Sequence, residues 1–146
     1  MTTVKQMLDD KGYEVWSIDP RRSVYDAIKL MAEKDIGALL VLESKMVIGI
    51  VTERDYARSI VLKGKTSPET PVREIMTHPI RSVGLGDTIE ICMSIMTSNH
   101  IRHLPVLRDA QPIGMLSIGD LVKSIIREQT NTISHLEDYI SGRAAG

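Results

Sequence analysis

The chain has few of the residues on which several protein classes depend. Phe is absent, and one Trp and four Tyr make only 3% of the 146 residues aromatic. The stacking side chains that bind single-stranded nucleic acids are therefore scarce. The net charge is −1, which argues against nucleic acid or an anionic membrane as the main partner. No apolar run approaches about 18 residues, so no transmembrane helix is expected.

Cysteine is almost absent as well. The single Cys92 excludes an internal disulfide. The first residues have no signal-peptide pattern, so we expect a cytoplasmic protein in a reducing compartment. Hydrophobic residues make up 42% and charged residues 25% of the chain, as in ordinary globular proteins. Without Phe, the core must be built from Ile, Leu, Val and Met.

An internal repeat organises what is present. Residues 17–60 align without gaps with residues 82–125 at an offset of 65 positions. A weaker echo precedes each copy, Val4–Leu8 and Val72–Met76, at an offset of 68 positions. The first copy thus carries about three additional residues before its first strand. Residues 63–71, with their Pro, Gly and polar content, are typical of a linker. A repeat of this kind indicates one supersecondary unit used twice.

Each copy is predicted to fold as β-α-β-β-α. Ser23 and Thr88 stand at the N-cap position of the first helix, and the apolar residues behind them have the spacing of one buried helical face. Ser44-Lys45 and Asp109-Ala110 provide the hairpin turns. The predicted strands of the first copy are residues 15–18, 38–42 and 46–51, and those of the second copy are 80–83, 103–107 and 112–116. The second helix of each copy is predicted to begin near Glu53 and Ile118, respectively. One such unit cannot bury all its apolar faces, which explains the pair.

One polar signature follows the third strand of both copies. It has the form Gly, two apolar residues, Thr or Ser, two further residues and Asp, at 49–55 and again at 114–120. A hydroxyl and free N–H groups at a helix start favour a phosphate, and a carboxylate one turn later can accept from two ribose hydroxyls. The same residues could instead form only a helix cap, with the Asp completing a capping box. Both interpretations stay open at this point.

The repeat length, the element order and the paired signature resemble the CBS-domain family. Residues 99–106, 49–55 and 72–77 look like typical CBS signatures. The resemblance covers about residues 4–127 and is closest to small proteins made of one CBS pair. It implies an α/β (α+β) fold of two tandem β-α-β-β-α CBS repeats, packed with pseudo-twofold symmetry and followed by a long C-terminal helix. The expected division is 1–62 for the first repeat with its N-terminal helix, 63–71 for the linker, 72–128 for the second repeat and 129–146 for a helical extension.

The resemblance also implies residues for binding an adenosine nucleotide. Asp55 and Asp120 would hold ribose hydroxyls, and Thr52 and Ser117 would contact phosphate or ribose. The adenine would lie between the first and second strands of a copy. In copy one this nominates Ile18 and Asp19 with Ile36, Gly37, Ala38 and Leu39. In copy two it nominates Ile80 with Ile101, Arg102, His103, Leu104 and Pro105.

The two copies are not equivalent in charge. Arg102 and His103 stand where related nucleotide-sensing pairs place basic residues near phosphates, whereas copy one has Gly37 and Ala38 there. Copy one has Arg54 where copy two has Gly119. We therefore expect the two sites to differ in charge and in ligand.

The remaining candidate residues indicate no further site. The pair His100 and His103 lacks further ligands nearby, so no metal site is expected. Cys92 aligns with Ala27 on the buried helix face and is expected in the core rather than as a nucleophile. Trp16 is expected in the core, with a lid beside the adenine as the alternative. Arg21 and Arg22 are expected in solvent, with a phosphate contact as the alternative.

The last helix is longer than the repeat requires. Ile133, Leu136 and Ile140 continue an apolar stripe that no part of the repeat can cover. We expect this stripe to pack on a second chain. The resemblance also implies a homodimer, since CBS pairs commonly form flat homodimers.

The sequence as a whole predicts a regulatory module rather than an enzyme. The ligand expected first is AMP, with ADP, ATP or NAD as alternatives, and binding would be read by an unknown regulated protein in trans. The competing interpretation is a ligand-free dimerisation or partner-docking module. An enzyme is disfavoured because no nucleophile–base pair, metal set or Gly-rich phosphate loop is visible.

Overall fold

The computed structural model describes residues 1–142. The first copy begins with the helix α1 (Val4–Lys11), the strand β1 (Ser17–Ile18) and the helix α2 (Val24–Lys34). The strands β2 (Ala38–Glu43) and β3 (Met46–Thr52) follow. The copy ends with the helix α3 (Glu53–Tyr56), which continues as one π-helical turn, Ala57–Val61. The second contains a 3-10 turn, Val72–Glu74, the helix α4 (Ile89–Asn99), the strands β4 (His103–Arg108) and β5 (Gln111–Ser117), and the helix α5 (Ile118–Ile140).

The helix starts and the hairpins form where the sequence predicted them. Ser23 and Thr88 cap α2 and α4 by accepting from the N–H three residues later. Both hairpin turns have two central residues with positive φ, the conformation that matches the twist of a two-residue hairpin. In copy one, β1 pairs parallel with β2, and β2 pairs antiparallel with β3.

The first strand of copy two was predicted wrongly. Residues 80–83 form no strand among the described residues, and only Val83 makes a β-bridge, with Val106. The sheet of copy two therefore has two strands, β4 and β5. The physical reason is local, because Pro79 before the segment has no N–H to donate, and Gly84 follows Val83 directly with Gly86 two residues later. In copy one the strand is also shorter than predicted, at two residues.

The two copies exchange the segments that precede them. The α1 residues Val4, Met7 and Leu8 are buried in the core of copy two, with Val106 and Leu116 among its members. Conversely, Val72 and Ile75 of the second leading segment are buried in the core of copy one. The boundaries 1–62 and 72–128 therefore follow the sequence repeat, whereas each hydrophobic core contains residues from both halves of the chain.

Glycines at matching positions allow this exchange. A Cβ on Gly114 would lie 2.7 Å from Leu8 Cδ1, and a Cβ on Gly49 would lie 2.6 Å from Met76 Sδ. Each leading segment therefore packs directly on the last strand of the other copy, which only a residue without a side chain permits.

The helix α5 extends well past the body of copy two. Leu121 near its start is fully buried, whereas Ile133, Leu136 and Ile140 are exposed. The predicted apolar stripe is therefore present and uncovered within the described chain. The end of the predicted extension, residues 143–146, lies outside the described residues.

Candidate functional site

The signature of copy two forms the junction between β5 and α5. Ser117 ends the strand, and its hydroxyl accepts from the N–H of Asp120 at 3.2 Å, while Asp120 Oδ2 accepts from the N–H of Ser117 at 2.7 Å. These two bonds make a complete capping box. Asp120 Oδ2 also accepts from Lys11 Nζ at 2.7 Å, and the same Nζ donates to the Met115 carbonyl at 2.6 Å.

The charge of Asp120 is set by opposing effects. Burial acts to raise its pKa, but the hydrogen bond and positive charge of Lys11, together with the bonds from Ser117, hold the pKa below its usual value. Asp120 is therefore an ionised acceptor with a cation beside it.

The signature of copy one has the same cap in a different environment. Thr52 and Asp55 form a capping box, and Asp55 Oδ1 accepts from the Thr77 hydroxyl at 3.3 Å. No basic side chain among the described residues makes an ion pair with Asp55. Burial raises the pKa of Asp55 and outweighs the hydrogen bonds from Thr52 and Thr77.

A cavity of about 540 Å³ opens beside Asp120, between the copies. Its walls combine the segment before β1, the end of α2, the start of β2 and the polar corner of copy two. The lining residues are Lys11, Gly12, Glu14, Trp16, Lys34, Asp35, Ile36, Gly37, Ala38, His103, Met115, Ser117 and Asp120. This volume is in the range of small-molecule sites.

The copies meet closely at Gly37. A Cβ there would lie 2.9 Å from Glu53 Oε1 and 3.6 Å from His103 Cε1. His103 of copy two thus stands directly against the start of β2 in copy one. Burial lowers the pKa of His103, and the nearby Lys11 lowers it further, so the imidazole is neutral near pH 7 and can both donate and accept.

Trp16 lies at the rim of this cavity as well as against the core. Its ring packs on the core of copy one and also lines the cavity. Lys34 Nζ stands 4.2 Å from the ring centroid, a cation–π contact. Its packing on the core agrees with the first interpretation of Trp16, and the alternative, a lid beside the adenine, stays a prediction.

The structure divides the first predicted set of binding residues. Ile36, Gly37 and Ala38 line the cavity, but Ile18 and Asp19 line a separate groove along α2. Asp19 accepts from Arg21 through the side chain and the backbone, and these bonds lower its pKa to about 2. Trp16 and Glu14, earlier in the chain, line the cavity, and Ile18 and Asp19 do not.

The second set is also divided. His103 lines the cavity, and Leu104 and Pro105 are buried, as is Leu39 in copy one. Leu39 and Leu104 have no exposed surface, so their side chains belong to the two cores and only their backbones could face a ligand.

The other residues nominated in copy two do not line this cavity. Ile80 and Ile101 are half-buried, and Arg102 and Gly119 are exposed. Arg54 bridges the copies, because its Nη1 donates to the His100 carbonyl at 3.0 Å.

Lys11 and Glu14 were missed by sequence reasoning. Lys11 is in α1, 109 positions from Asp120, and the repeat offers no equivalent of it. The one available signal was the difference between the offsets of 65 and 68, which marks the segment around Gly12 as additional in copy one.

Other chemistry in the described residues is limited. Cys92 is fully buried, as expected for a core residue, and burial raises its pKa to about 11. Within residues 1–142 no three His, Cys, Asp or Glu side chains are grouped as metal ligands would be. No helix in this range is both long and apolar enough to cross a bilayer.

Comparison with known proteins gives consistent matches along the chain. A family model described as CBS domain matches residues 7–62 and 72–127. The CBS domain-containing protein CBSX3, mitochondrial, of Arabidopsis thaliana is 36% identical over 97% of this chain and 73% of its own length.

Two solved structures have the same fold. A protein with CBS domains from Burkholderia ambifaria MC40-6, described as a candidate signal-transduction protein, is 51% identical with a TM-score of 0.84, over 88% of this chain and 96% of that one. A CBS-domain protein from Agrobacterium tumefaciens is 35% identical with a TM-score of 0.80, over 84% and 98%.

Proposed function

The chain belongs to the CBS-domain family, and from this premise we propose that it is a regulatory module that binds an adenosine nucleotide in the cavity between its two copies. The observation that carries the proposal is the shared wall of that cavity. Ile36 and Ala38 of copy one face Ser117 and Asp120 of copy two across about 540 Å³.

The cavity offers an apolar side and a polar side. The ring of Trp16 with Ile36 and Ala38 provides an apolar surface for a purine. The ionised Asp120 is the acceptor suited to two vicinal ribose hydroxyls. Neutral His103, which can donate or accept, also lines the cavity. A nucleoside with an intact ribose matches this pair of apolar and polar walls better than a free base does.

Lys11 is the residue we propose for recognition of the phosphate. It lies 2.7 Å from Asp120 and is partly exposed, with 37% of its side chain accessible. A ribose on Asp120 would compete for the carboxylate oxygen that Lys11 now contacts. The lysine could then turn to the phosphate of the same ligand, with Lys34 near the rim. AMP is the ligand expected first, followed by ADP, ATP and NAD.

A second site at Thr52 and Asp55 is proposed as weaker. Among residues 1–142 its carboxylate makes no ion pair, and Arg54, whose charge acts to lower the pKa of Asp55, is already bonded to the His100 carbonyl. Because the surroundings of Asp55 are not those of Asp120, any ligand there is expected to differ in charge.

The proposed output is regulation in trans by a non-enzymatic module. On this proposal, a ligand-dependent shift in the CBS pair or in the α5 extension would be read by another protein. We propose a homodimer for the module, supported by the exposed apolar residues of α5. The cytoplasmic location stays a prediction, and the Arabidopsis relative is named as mitochondrial.

A ligand-free docking module is the second candidate function. Both Asp55 and Asp120 already complete capping boxes, and Lys11 already neutralises Asp120. These contacts satisfy the signature without a ligand. On this alternative, nucleotides would neither bind to the folded protein nor raise its melting temperature.

Isothermal titration separates the two functions. AMP, ADP, ATP, NAD and GTP are titrated into the wild type, into Asp120→Asn and into Asp109→Asn, an exposed hairpin-turn control. Binding of adenine compounds that weakens only in Asp120→Asn supports the nucleotide module. A folded wild type that binds none of them would leave the docking module.

A further inference from the structure

The exposed apolar residues of α5 recur with a heptad spacing. Five of them lie along one line of the helix with accessibilities of 45–83%, and Gln129 completes the series. Their separations alternate between four and three residues, as the a and d positions of a coiled coil do. The residues are Val122, Ile126, Gln129, Ile133, Leu136 and Ile140.

We propose that α5 forms an antiparallel two-stranded coiled coil with α5 of a second copy of this chain. This rests on the proposed homodimer and deepens it by naming the surface and the register. It is independent of nucleotide binding. A helix of 23 residues is about 34 Å long, enough for a seam of five to six layers.

The flanking residues select the antiparallel direction. With Ile126 facing Leu136 of the partner subunit, Lys123 faces Glu137 of the partner subunit, and the twofold axis repeats this ion pair. All four of these positions on one protomer are exposed. A parallel pair would instead place Thr132 beside the partner's Glu137, with no opposite charges together. Opposite charges at flanking positions set partner choice and orientation.

The other flank agrees with the same register. Thr132 faces Thr132 of the partner subunit, and Tyr139 faces Ile125 of the partner subunit. Ile125 lines a groove between α4 and α5 of about 940 Å³. Tyr139 is 79% exposed on the single protomer, and this groove would cover its ring. A seam that matches itself through a twofold axis has the symmetry of an isologous dimer interface.

Engineered cysteines test the direction of the seam. In the antiparallel register Thr132→Cys faces its own copy across the axis, whereas Val122→Cys is about 27 Å from its copy. Mild oxidation should therefore cross-link Thr132→Cys and leave Val122→Cys monomeric on non-reducing gels. The native Cys92 is fully buried and serves as the blank. Efficient cross-linking of Val122→Cys, or none of Thr132→Cys, would overturn the register.

Analytical ultracentrifugation tests the surface itself. Leu136→Lys should raise the dimer Kd roughly a hundredfold or more, because two buried leucines are lost, whereas Asn131→Lys on the opposite face should not change it. Lys123→Glu should raise the Kd roughly threefold to tenfold, and Lys123→Glu with Glu137→Lys should restore it. These positions are exposed, so the protomer fold is preserved.

The outcomes separate this inference from the proposed homodimer. A wild type that is monomeric throughout overturns both. A wild-type dimer that is insensitive to Leu136→Lys leaves the homodimer and overturns the α5 seam alone.

Discussion

The two polar corners of the molecule have the same backbone design and opposite electrostatics. Both are capping boxes at a strand-to-helix junction. At the Asp120 corner an ion pair with Lys11 holds the pKa down against burial, and at the Asp55 corner burial prevails and raises it. A repeated motif therefore fixes geometry, while neighbouring residues from outside the motif decide charge.

The exchanged leading segments cause this difference. The segment before copy one packs on copy two and ends in Lys11, which reaches Asp120. The segment before copy two packs on copy one and places Thr77 near Asp55. Because the two segments differ in length and composition, the pseudo-symmetric corners receive an ammonium group in one case and a hydroxyl in the other.

The sharpest test substitutes the two carboxylates in turn. Asp120→Asn should weaken AMP binding roughly tenfold to a hundredfold, as expected for loss of a charged hydrogen-bond acceptor. Asp55→Asn should change it less than about threefold. Asparagine retains an acceptor oxygen for the cap, and melting curves without ligand control for folding. Isothermal titration measures both, and a larger loss in Asp55→Asn would assign AMP to the other corner.

Glycine substitutions displace one leading segment at a time. A Cβ on Gly114 collides with Leu8, and one on Gly49 collides with Met76 and lies 3.1 Å from the Thr77 carbonyl. Each alanine variant should lower the free energy of unfolding by about 1–3 kcal/mol through overpacking, measured by urea denaturation. Only Gly114→Ala should also weaken AMP binding, because it moves α1 and with it Lys11.

The glycine control lies in open space. A Cβ on Gly86 meets nothing within 4 Å, so Gly86→Ala should leave the free energy of unfolding and the affinity for AMP unchanged. Equal effects of Gly114→Ala and Gly49→Ala on AMP binding would mean that α1 does not tune the cavity.

Replacing Lys11 tests whether the ammonium group distinguishes the corners. Lys11→Met should weaken AMP binding roughly tenfold and leave adenosine binding unchanged or stronger, because Asp120 is no longer occupied. Lys5→Met, which removes an exposed lysine of the same helix paired with Asp9, is the control. If the ratio of AMP to adenosine affinity is the same in all three proteins, Lys11 does not recognise the phosphate.

The repeat made most of the fold predictable from the sequence. Helix caps, hairpin turns and four of the strands depend on local residue types, and Ser23, Thr88 and the Ser44-Lys45 turn identify them directly. Local residue types alone did not predict whether residues 80–83 form a strand. Its copy-one counterpart has only two paired residues, so small local differences decide whether a strand forms.

The composition of the cavity was less predictable, for a physical reason. An offset of 65 positions relates residues within each copy but contains no information on which copy a leading segment packs against. Lys11 and Asp120 are brought together by that exchange. The grouping of Ile18 and Asp19 with Ile36 assumed a site inside one copy, whereas the cavity draws its walls from both.

The smallest expected difference between the corners is in acid stability. Asp120 has a folded-state pKa below its usual value, so it contributes stability that is present above its unfolded pKa and is lost as pH falls through the folded value. Asp55 has a raised folded-state pKa. Its contribution is therefore present below the unfolded pKa and is lost as pH rises through the folded value.

These opposite signs predict opposite behaviour of two asparagine variants in melting experiments between pH 3 and pH 7 without ligand. Asp120→Asn should lower the melting temperature by roughly 2–4 °C more at pH 7 than at pH 3, because the ion pair with Lys11 is formed only when Asp120 is ionised. Asp55→Asn should be least harmful at pH 7, where the wild type holds a half-buried carboxylate whose pKa is raised by burial. Parallel curves for the two variants would show that the corners are electrostatically equivalent, which the placement of Lys11 beside only one of them argues against.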